Sequence, residues 1–185
     1  MTTYILHWGW SWILASFVAD LKSKYSLEYK KILLLYHAKD LLEWEESFLK
    51  DIVSLQKIWI LEDNCQAGST DLNSLILEIE KADVVIIKGG SAELLCQNLF
   101  SIKGELEYLF KNKIVIGISA WAYLLSKSYF SNDRKAIYDG FWLIDLNVIC
   151  HYQDNMNTYV ESLYAKNSTN TLKLKESEYV VLDVG

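Results

Sequence analysis

Short runs of hydrophobic residues alternate along the chain with longer amphipathic stretches. The runs predict β-strands at residues 4–7, 32–36, 57–61, 84–87, 114–118, 142–144, 147–150 and 179–182. Several of these runs are apolar without interruption, as strands of a buried parallel sheet are. Between them, residues 41–52 and 72–79 carry apolar side chains at helical spacing and predict crossover helices.

This alternation predicts one folded domain over residues 1–185. A chain of 185 residues can bury a substantial core, and its composition of 51% hydrophobic and 23% charged residues is typical of globular proteins. Strands joined by crossover helices form a mostly parallel sheet with helices on both faces. We therefore expect a three-layer α/β/α fold with a mostly parallel central sheet.

Charge and hydropathy exclude several classes of partner. The net charge is −6 and the lysines are scattered rather than gathered in a stripe, so we expect no nucleic-acid partner. No apolar run approaches the roughly 20 residues that span a bilayer, so we expect no membrane association. The N-terminal segment MTTYILH lacks the features of a signal peptide, which favours a cytoplasmic location. Apolar edge strands are compatible with a homodimer.

The three cysteines, Cys65, Cys96 and Cys150, lie far apart in the sequence. Their odd number and their spacing match neither a disulfide framework nor a CxxC metal site, so we expect reduced thiols. None of them follows a strand that ends in G-x-C. This disfavours a thiol nucleophile of the amidotransferase kind.

Residues 111–128, KNKIVIGISAWAYLLSKS, place a serine where a buried strand gives way to a helix. At such an elbow the hydroxyl of Ser119 is exposed at the carboxyl edge of the sheet. The backbone N–H of Ala120 then lies at the helix N-terminus and faces the position of a developing oxyanion. Serine is also a preferred helix cap, so the pattern alone fits either a nucleophile or a structural cap.

A second strand, in residues 82–99 (ADVVIIKGGSAELLCQNL), runs into Gly89, Gly90 and Ser91 before a helix begins. Glycines let the backbone approach a ligand and turn its N–H groups toward it. The loop is suited to supply a second oxyanion donor or to hold a substrate carboxylate, with an ordinary tight turn as the alternative. It lacks the G-x-G-x-x-G and G-K-[ST] patterns, which disfavours a nucleotide site.

His151 directly follows the predicted strand at residues 147–150. Catalytic groups of α/β proteins collect outside the carboxyl ends of strands, and histidine titrates near neutral pH. We therefore expect His151 at the same sheet edge as Ser119, as a candidate general base, with a merely packed or solvated histidine as the alternative. His7 ends one predicted strand and His37 directly follows another.

These three segments together resemble the peptidase E family of serine peptidases, which includes aspartyl dipeptidase and cyanophycinase. The G-G-G-[ND] loop of that family corresponds to residues 88–91 (KGGS), and its G-x-S-A-G-A elbow to residues 117–122 (GISAWA). Its H-[YF] pair corresponds to residues 151–152 (HY). The resemblance covers most of the chain. It implies a fold like that of class I glutamine amidotransferases, which is flavodoxin-like.

The resemblance implies a role for each matching residue. Ser119 would be the nucleophile and His151 its base, with the N–H groups of Gly90 and Ala120 as the oxyanion hole. The family also carries a late L-x-E-G-[ST]-A-L stretch whose acid orients the histidine. Residues 174–183 (LKESEYVVLD) place Glu176 there.

Other carboxylates compete for the position of the orienting acid. Glu178 lies in the same segment, and Asp154 follows His151 closely in sequence. Such an acid fixes the tautomer of the histidine and stabilises the imidazolium that forms during attack. Geometry has to decide among the three.

Two positions depart from the family pattern. The glycine two places after the serine is Trp121, and the first glycine of the loop is Lys88. Trp121 either points away from the site or fills space that a substrate needs, and Lys88 is a candidate partner for a substrate carboxylate. We expect Gly89, Ser91 and Trp121 to contact the substrate.

A set of tryptophans follows the first predicted strand, at Trp8, Trp10 and Trp12. Because they come after its carboxyl end, we expect them to wall an apolar substrate pocket near Ser119.

The function expected from these features is hydrolysis of a small peptide or amide through an acyl-enzyme on Ser119, with no metal or organic cofactor. The alternative is a non-catalytic homologue that binds a small ligand or a partner. In that case Trp121 and Lys88 would have altered the site.

Overall fold

A computed structural model describes residues 1–9, 14–176 and 178–185 of the chain. Six strands form the central sheet: β1 (Thr2–His7), β2 (Ile32–Leu35), β3 (Cys65–Ala67), β4 (Val84–Ile87), β5 (Ile114–Ile118) and β10 (Tyr179–Val184). Their order across the sheet is β10-β1-β5-β4-β2-β3. β10 pairs antiparallel with β1, and all other neighbours in this sheet are parallel.

Helices cover both faces of this sheet because its strands are apolar on both sides. Val84 and Ile86 pack into one core cluster with the helices α1 (Leu14–Tyr25) and α2 (Trp44–Gln56). Val85 and Ile87 pack into the other cluster. That second cluster contains residues of α3 (Leu72–Lys81), α4 (Ala92–Leu99), α5 (Leu106–Leu109) and α6 (Ala120–Leu125). The predicted three-layer α/β/α fold with a mostly parallel sheet is confirmed.

A second sheet, which the hydrophobic pattern did not predict, lies beyond α6. Its strands are β6 (Ser128–Ser131), β7 (Ala136–Asp139), β8 (Asn147–Cys150) and β9 (Thr171–Leu174), and α7 (Asn157–Asn167) connects β8 to β9. Their order is β7-β6-β8-β9. The strand that precedes His151 is therefore β8 of this sheet. The expectation that it lies in the central sheet is wrong.

Two of the predicted strands are not strands in the structure. Residues 57–61 follow the end of α2, where Trp59 has a φ of 66° and the N–H of Ile60 donates to the carbonyl of Leu55 at 3.2 Å. The buried Ile60 then packs into the core, as the apolar residue after a helix C-terminus often does. Residues 142–144 form a loop whose N–H groups cap the carbonyls at the end of α6. In both segments, backbone N–H groups of the apolar run donate to carbonyls at the end of the preceding helix.

Over the three described ranges, no helix has the length and apolar character that crossing a bilayer requires.

Candidate active site

Ser119 occupies a strained turn between β5 and α6. Its φ is 57° and its ψ is −109°, a conformation that a residue with a Cβ rarely adopts. The backbone N–H of Ser119 donates to the carbonyl of His7 at 3.0 Å, which ties the elbow to the end of β1. Its side chain makes no capping hydrogen bond to α6. Ser119 therefore does not act as a helix cap, and its hydroxyl is not occupied by α6.

Ser91 shows what a capping serine looks like in the same fold. It precedes α4 with ordinary extended backbone angles, and its hydroxyl accepts the N–H of Leu94 at 3.2 Å. Ser91 therefore stabilises the start of α4 through its hydroxyl. The contrast separates a serine that closes a helix end from Ser119, which does not.

The glycine loop after β4 lies directly against Ser119. A Cβ at Gly89 would stand 2.8 Å from the Cβ of Ser119, closer than real Cβ contacts allow. A Cβ at Gly90 would overlap the carbonyl of Ala38, and Gly90 has a φ of 156°. The N–H of Ser91 holds this arrangement by donating to the same carbonyl at 2.8 Å. Glycine is required at both positions, because a larger side chain would collide with Ser119 at Gly89 and with Ala38 at Gly90.

Two backbone N–H groups near Ser119 are suited to bind an anion. Ala120 is the first residue of α6, so its N–H has no intrahelical acceptor. For Gly90, the described part of the chain offers its N–H no hydrogen-bond partner. Free donors beside a nucleophile are the requirement for an oxyanion hole.

His151 reaches the site from β8 and has a φ of 51°. Its Nδ1 atom lies 2.9 Å from Oε2 of Glu176. The indole Nε1 of Trp8 lies 2.7 Å from the same Nδ1. Of the three candidate acids, Glu176 is the one that contacts the histidine, whereas the carboxylate of Glu178 accepts the N–H of Lys175 at 2.9 Å. Asp154 begins a short 3-10 turn.

One cavity of about 1160 Å³ brings the predicted residues together. Five of them line it: Ser119, His151, Gly90, Ala120 and Ser91. This size is ample for a small peptide, since ligand sites commonly enclose several hundred Å³. Among the described residues, no group of three or more His, Cys, Asp or Glu side chains is arranged to hold a metal ion.

Stacked tyrosines form one wall of the cavity. The rings of Tyr123 and Tyr129 stack with centroids 4.6 Å apart, and those of Tyr129 and Tyr138 with centroids 5.7 Å apart. Burial raises the pKa of Tyr129 to about 12, so its phenol stays neutral near pH 7. Trp8 also lines the cavity, as predicted from its position after β1. Trp10 and Trp12 lie outside the described residues.

The sequence pattern missed this wall because two of its tyrosines, Tyr129 and Tyr138, lie on the hairpin of β6 and β7. Each of these two strands has four residues, and neither was predicted from the hydrophobic pattern. The available signal was a pair of tyrosines, Tyr129 and Tyr138, flanking the turn between the two strands. At the tip, Arg134 forms an ion pair of 2.6 Å with Glu93 of α4, which connects the hairpin to the opposite side of the cavity.

Trp121 does not contact the cavity, so the predicted substrate contact is wrong. Its side chain is fully buried and packs between Phe110 and Phe141. A Cβ at Gly117 would overlap the Trp121 ring. The glycine that allows close packing of α6 on β5 is thus Gly117, and the indole fills core space beneath the elbow. This departure from the family pattern leaves the site open.

Lys88 is also directed away from the cavity, which excludes it as the partner of a substrate carboxylate. Its Nζ lies 2.9 Å from Oδ1 of Asp51 on α2, and the hydroxyl of Tyr36 donates to Oδ2 of the same carboxylate at 2.9 Å. All three side chains are buried. Burial lowers the pKa of Lys88, and the charge of Asp51 opposes that shift.

Neither the other histidines nor the cavity cysteine offers a better catalytic group. His7 and His37 are buried and do not line the cavity. Cys96 lines it, but burial raises the pKa of its thiol, which is the wrong direction for a thiolate nucleophile.

His37 makes the stability of the fold depend on pH. Its ring is buried against Trp44, and burial lowers its pKa to about 4 from a usual 6.5. Between these pH values, the unfolded chain binds a proton at His37 that the folded chain does not. The contribution of His37 to the free energy of unfolding is therefore fully present above pH 6.5 and is lost as the pH falls toward 4. The loss approaches about 3 kcal/mol.

Urea denaturation at pH 7.5, 6.0, 5.0 and 4.5 measures this decline. We expect the His37→Gln variant to show a shallower slope, because its side chain does not titrate. A residual slope is expected from His7, whose pKa is also lowered by burial. Equal slopes in the parent and in His37→Gln would contradict the assignment.

Comparison with solved structures identifies the fold. A peptidase from an acI-B1 actinobacterium superposes with a TM-score of 0.69 at 17% sequence identity, covering 100% of this chain and 84% of that chain. A Listeria monocytogenes EGD-e protein assigned as a peptidase E superposes with a TM-score of 0.64 at 17% identity, covering 100% of both chains. The chain therefore has the α/β/α fold of these peptidase structures.

No protein-family model matches the chain, and no curated protein matches it.

Proposed function

We propose that the chain is a serine hydrolase of the peptidase E type, which cleaves a small peptide or amide through an acyl-enzyme on Ser119. The observation that carries the proposal is the state of Ser119. It is held in a strained turn, does not cap its helix, and shares a cavity with His151, Gly90 and Ala120. The likeness to two peptidase structures supports the same general class.

In the first half of the reaction, Oγ of Ser119 attacks the carbonyl carbon of the substrate while Nε2 of His151 takes the hydroxyl proton. Glu176 stabilises the imidazolium through Nδ1–H. The C–N bond then breaks, and Nε2–H returns the proton to the leaving amine. An ester between the substrate acyl group and Ser119 remains.

In the second half, Nε2 of His151 takes a proton from water as the water attacks the ester. The bond to Oγ breaks, Ser119 regains its proton from the imidazolium, and the carboxylic acid leaves. In both halves negative charge develops on the former carbonyl oxygen. The N–H groups of Gly90 and Ala120 are suited to stabilise it, and one such donor contributes about 10²-fold to 10³-fold in rate.

No hydrogen bond joins Ser119 to His151 in the part of the chain that the structure describes. Hydrogen bonds of this kind are often long without substrate and tighten when the complex forms. Because Nδ1 is engaged with Trp8 and Glu176, Nε2 is the ring nitrogen that remains for the serine.

The experiment is a hydrolysis assay on a panel of fluorogenic aminoacyl and dipeptidyl amides and on p-nitrophenyl acetate, with purified parent and His151→Gln protein. We expect turnover of at least one substrate and a loss of about 10³-fold or more in His151→Gln. The matched control is His37→Gln, which removes a histidine that does not line the cavity and keeps turnover at pH 7.5. Turnover that survives His151→Gln would contradict the proposal, and binding without turnover would favour the non-catalytic homologue.

A further inference from the structure

Two groups with opposite demands contact the same nitrogen of His151. The indole Nε1–H of Trp8 can only donate a hydrogen bond, and it lies 2.7 Å from Nδ1. The ionised carboxylate of Glu176 can only accept one, and it lies 2.9 Å from Nδ1. Of these two contacts, the one from Trp8 has the geometry of a hydrogen bond, whereas Glu176 makes a close contact of the ion-pair kind. One nitrogen carries either a lone pair or a proton, so a hydrogen bond from Trp8 and one to Glu176 exclude each other.

Each hydrogen bond selects one tautomer of the neutral ring. With Trp8 as the donor, Nδ1 has the lone pair and the proton is on Nε2, so Nε2 cannot accept the Ser119 proton. With Glu176 as the acceptor, Nδ1 carries the proton and Nε2 is free to act as a base. The exchange moves one proton between the ring nitrogens through water and leaves the ring neutral.

We propose that Trp8 is a positioning residue that holds His151 in the Nε2–H tautomer in the resting protein and competes with Glu176 for Nδ1. The inference rests on the proposed function for its catalytic meaning. The tautomer itself is a property of the folded chain that can be measured without any substrate.

The packing around Trp8 supports this role. Its ring is buried, with 6% of its surface exposed, and meets the His151 ring edge to face with centroids 4.2 Å apart. Its backbone N–H donates to the carbonyl of Glu178 at 3.0 Å, two residues after Glu176. The donor, the histidine and the segment that carries the acceptor are therefore fixed against one another. An indole held in this way keeps its N–H directed at Nδ1.

Trp8 is also part of the cavity wall. A substrate in the cavity therefore lies against the indole that restrains the base. We therefore expect a bound substrate to change how strongly Trp8 competes with Glu176 for Nδ1 of His151.

Nitrogen NMR of ¹⁵N-histidine-labelled protein at pH 8 reads the tautomer directly, with His151→Gln identifying the signals of His151. We expect a protonated Nε2 in the parent and in Glu176→Gln, and a protonated Nδ1 in Trp8→Phe, which keeps a ring and removes the donor. If Trp8→Phe does not fold, benzothienylalanine at position 8 keeps the indole shape without the N–H. A protonated Nδ1 in the parent, or an unchanged tautomer without the donor, would overturn the inference.

Kinetics on the same variants separate this inference from the proposed function. A hydrogen bond of typical strength shifts a two-state population by about fivefold, so we expect kcat to rise by that factor in Trp8→Phe. Glu176→Gln should cost less in the Trp8→Phe background than in the parent, because the competitor is gone. Turnover that depends on Ser119 together with an unchanged tautomer would sink the role of Trp8 alone. The expected tautomer change without turnover in any variant would sink the hydrolase alone.

Discussion

Replacing Ser119 with alanine is expected to lower hydrolysis by about 10⁴-fold or more while the protein stays folded. The substitution removes the oxygen that forms the acyl-enzyme, and the Cys96 thiol in the same cavity is a poor replacement because burial raises its pKa. Loss of a nucleophile costs nearly as much as loss of a whole triad, since its members act as a unit. The residual rate would come from the oxyanion donors and from binding alone.

The measurement is kcat/KM on the best substrate of the panel, with circular dichroism to confirm the fold. Ser162→Ala is a suitable control, since the hydroxyl of this exposed serine on α7 donates to the carbonyl of Thr158 in the same helix. It should keep parental activity. Comparable activity in Ser119→Ala and Ser162→Ala would show that chemistry proceeds elsewhere.

Replacing Lys88 with methionine is expected to lower the free energy of unfolding by about 3–5 kcal/mol. The change removes the partner of Asp51 and leaves a buried carboxylate with the Tyr36 hydroxyl as its remaining donor. An unpaired charge in the interior is costly because the protein replaces its lost hydration poorly. Since Lys88 immediately precedes Gly89, the same change is expected to loosen the glycine loop beside Ser119.

Urea denaturation at pH 7 measures this effect. The double variant Lys88→Met with Asp51→Leu should recover most of the loss, because it removes the second charge as well. The control is Lys50→Met, which breaks an exposed pair with Glu46 and should cost at most about 1 kcal/mol. If Lys88→Met unfolds at the same urea concentration as the parent, the buried pair is not a stabilising contact.

The central strands were predictable because each is a short apolar run, as expected for a strand buried in a parallel sheet. Residues 84–87 and 114–118 are short and apolar and end one or two positions before a glycine or serine, and the structure confirms both ranges as strands. Residues 57–61 are also mostly apolar, but they form the turn that follows α2. The local pattern cannot distinguish the two cases, because both segments bury an apolar run. They differ in whether a neighbouring strand or the end of a helix packs against that run.

The residues of the site were predictable from motifs, but their hydrogen bonds were not. Ser119, the glycine loop and His151 each come after a predicted strand, so their positions in the sequence were enough to predict them as site residues. The contact between Trp8 and His151 joins residues 143 positions apart, and no spacing rule predicts it. The prediction for Lys88 was wrong for a similar reason, because its buried partner Asp51 lies on α2, 37 positions away in the sequence.

The central claim is that Ser119 is an activated nucleophile, and labelling with a fluorophosphonate tests it most directly. Intact-mass and peptide mass spectrometry should find one adduct, on the peptide that contains Ser119. The adduct should be absent in Ser119→Ala and form much more slowly in His151→Gln. A parent protein that remains unlabelled, or an adduct that persists in Ser119→Ala, would contradict the account.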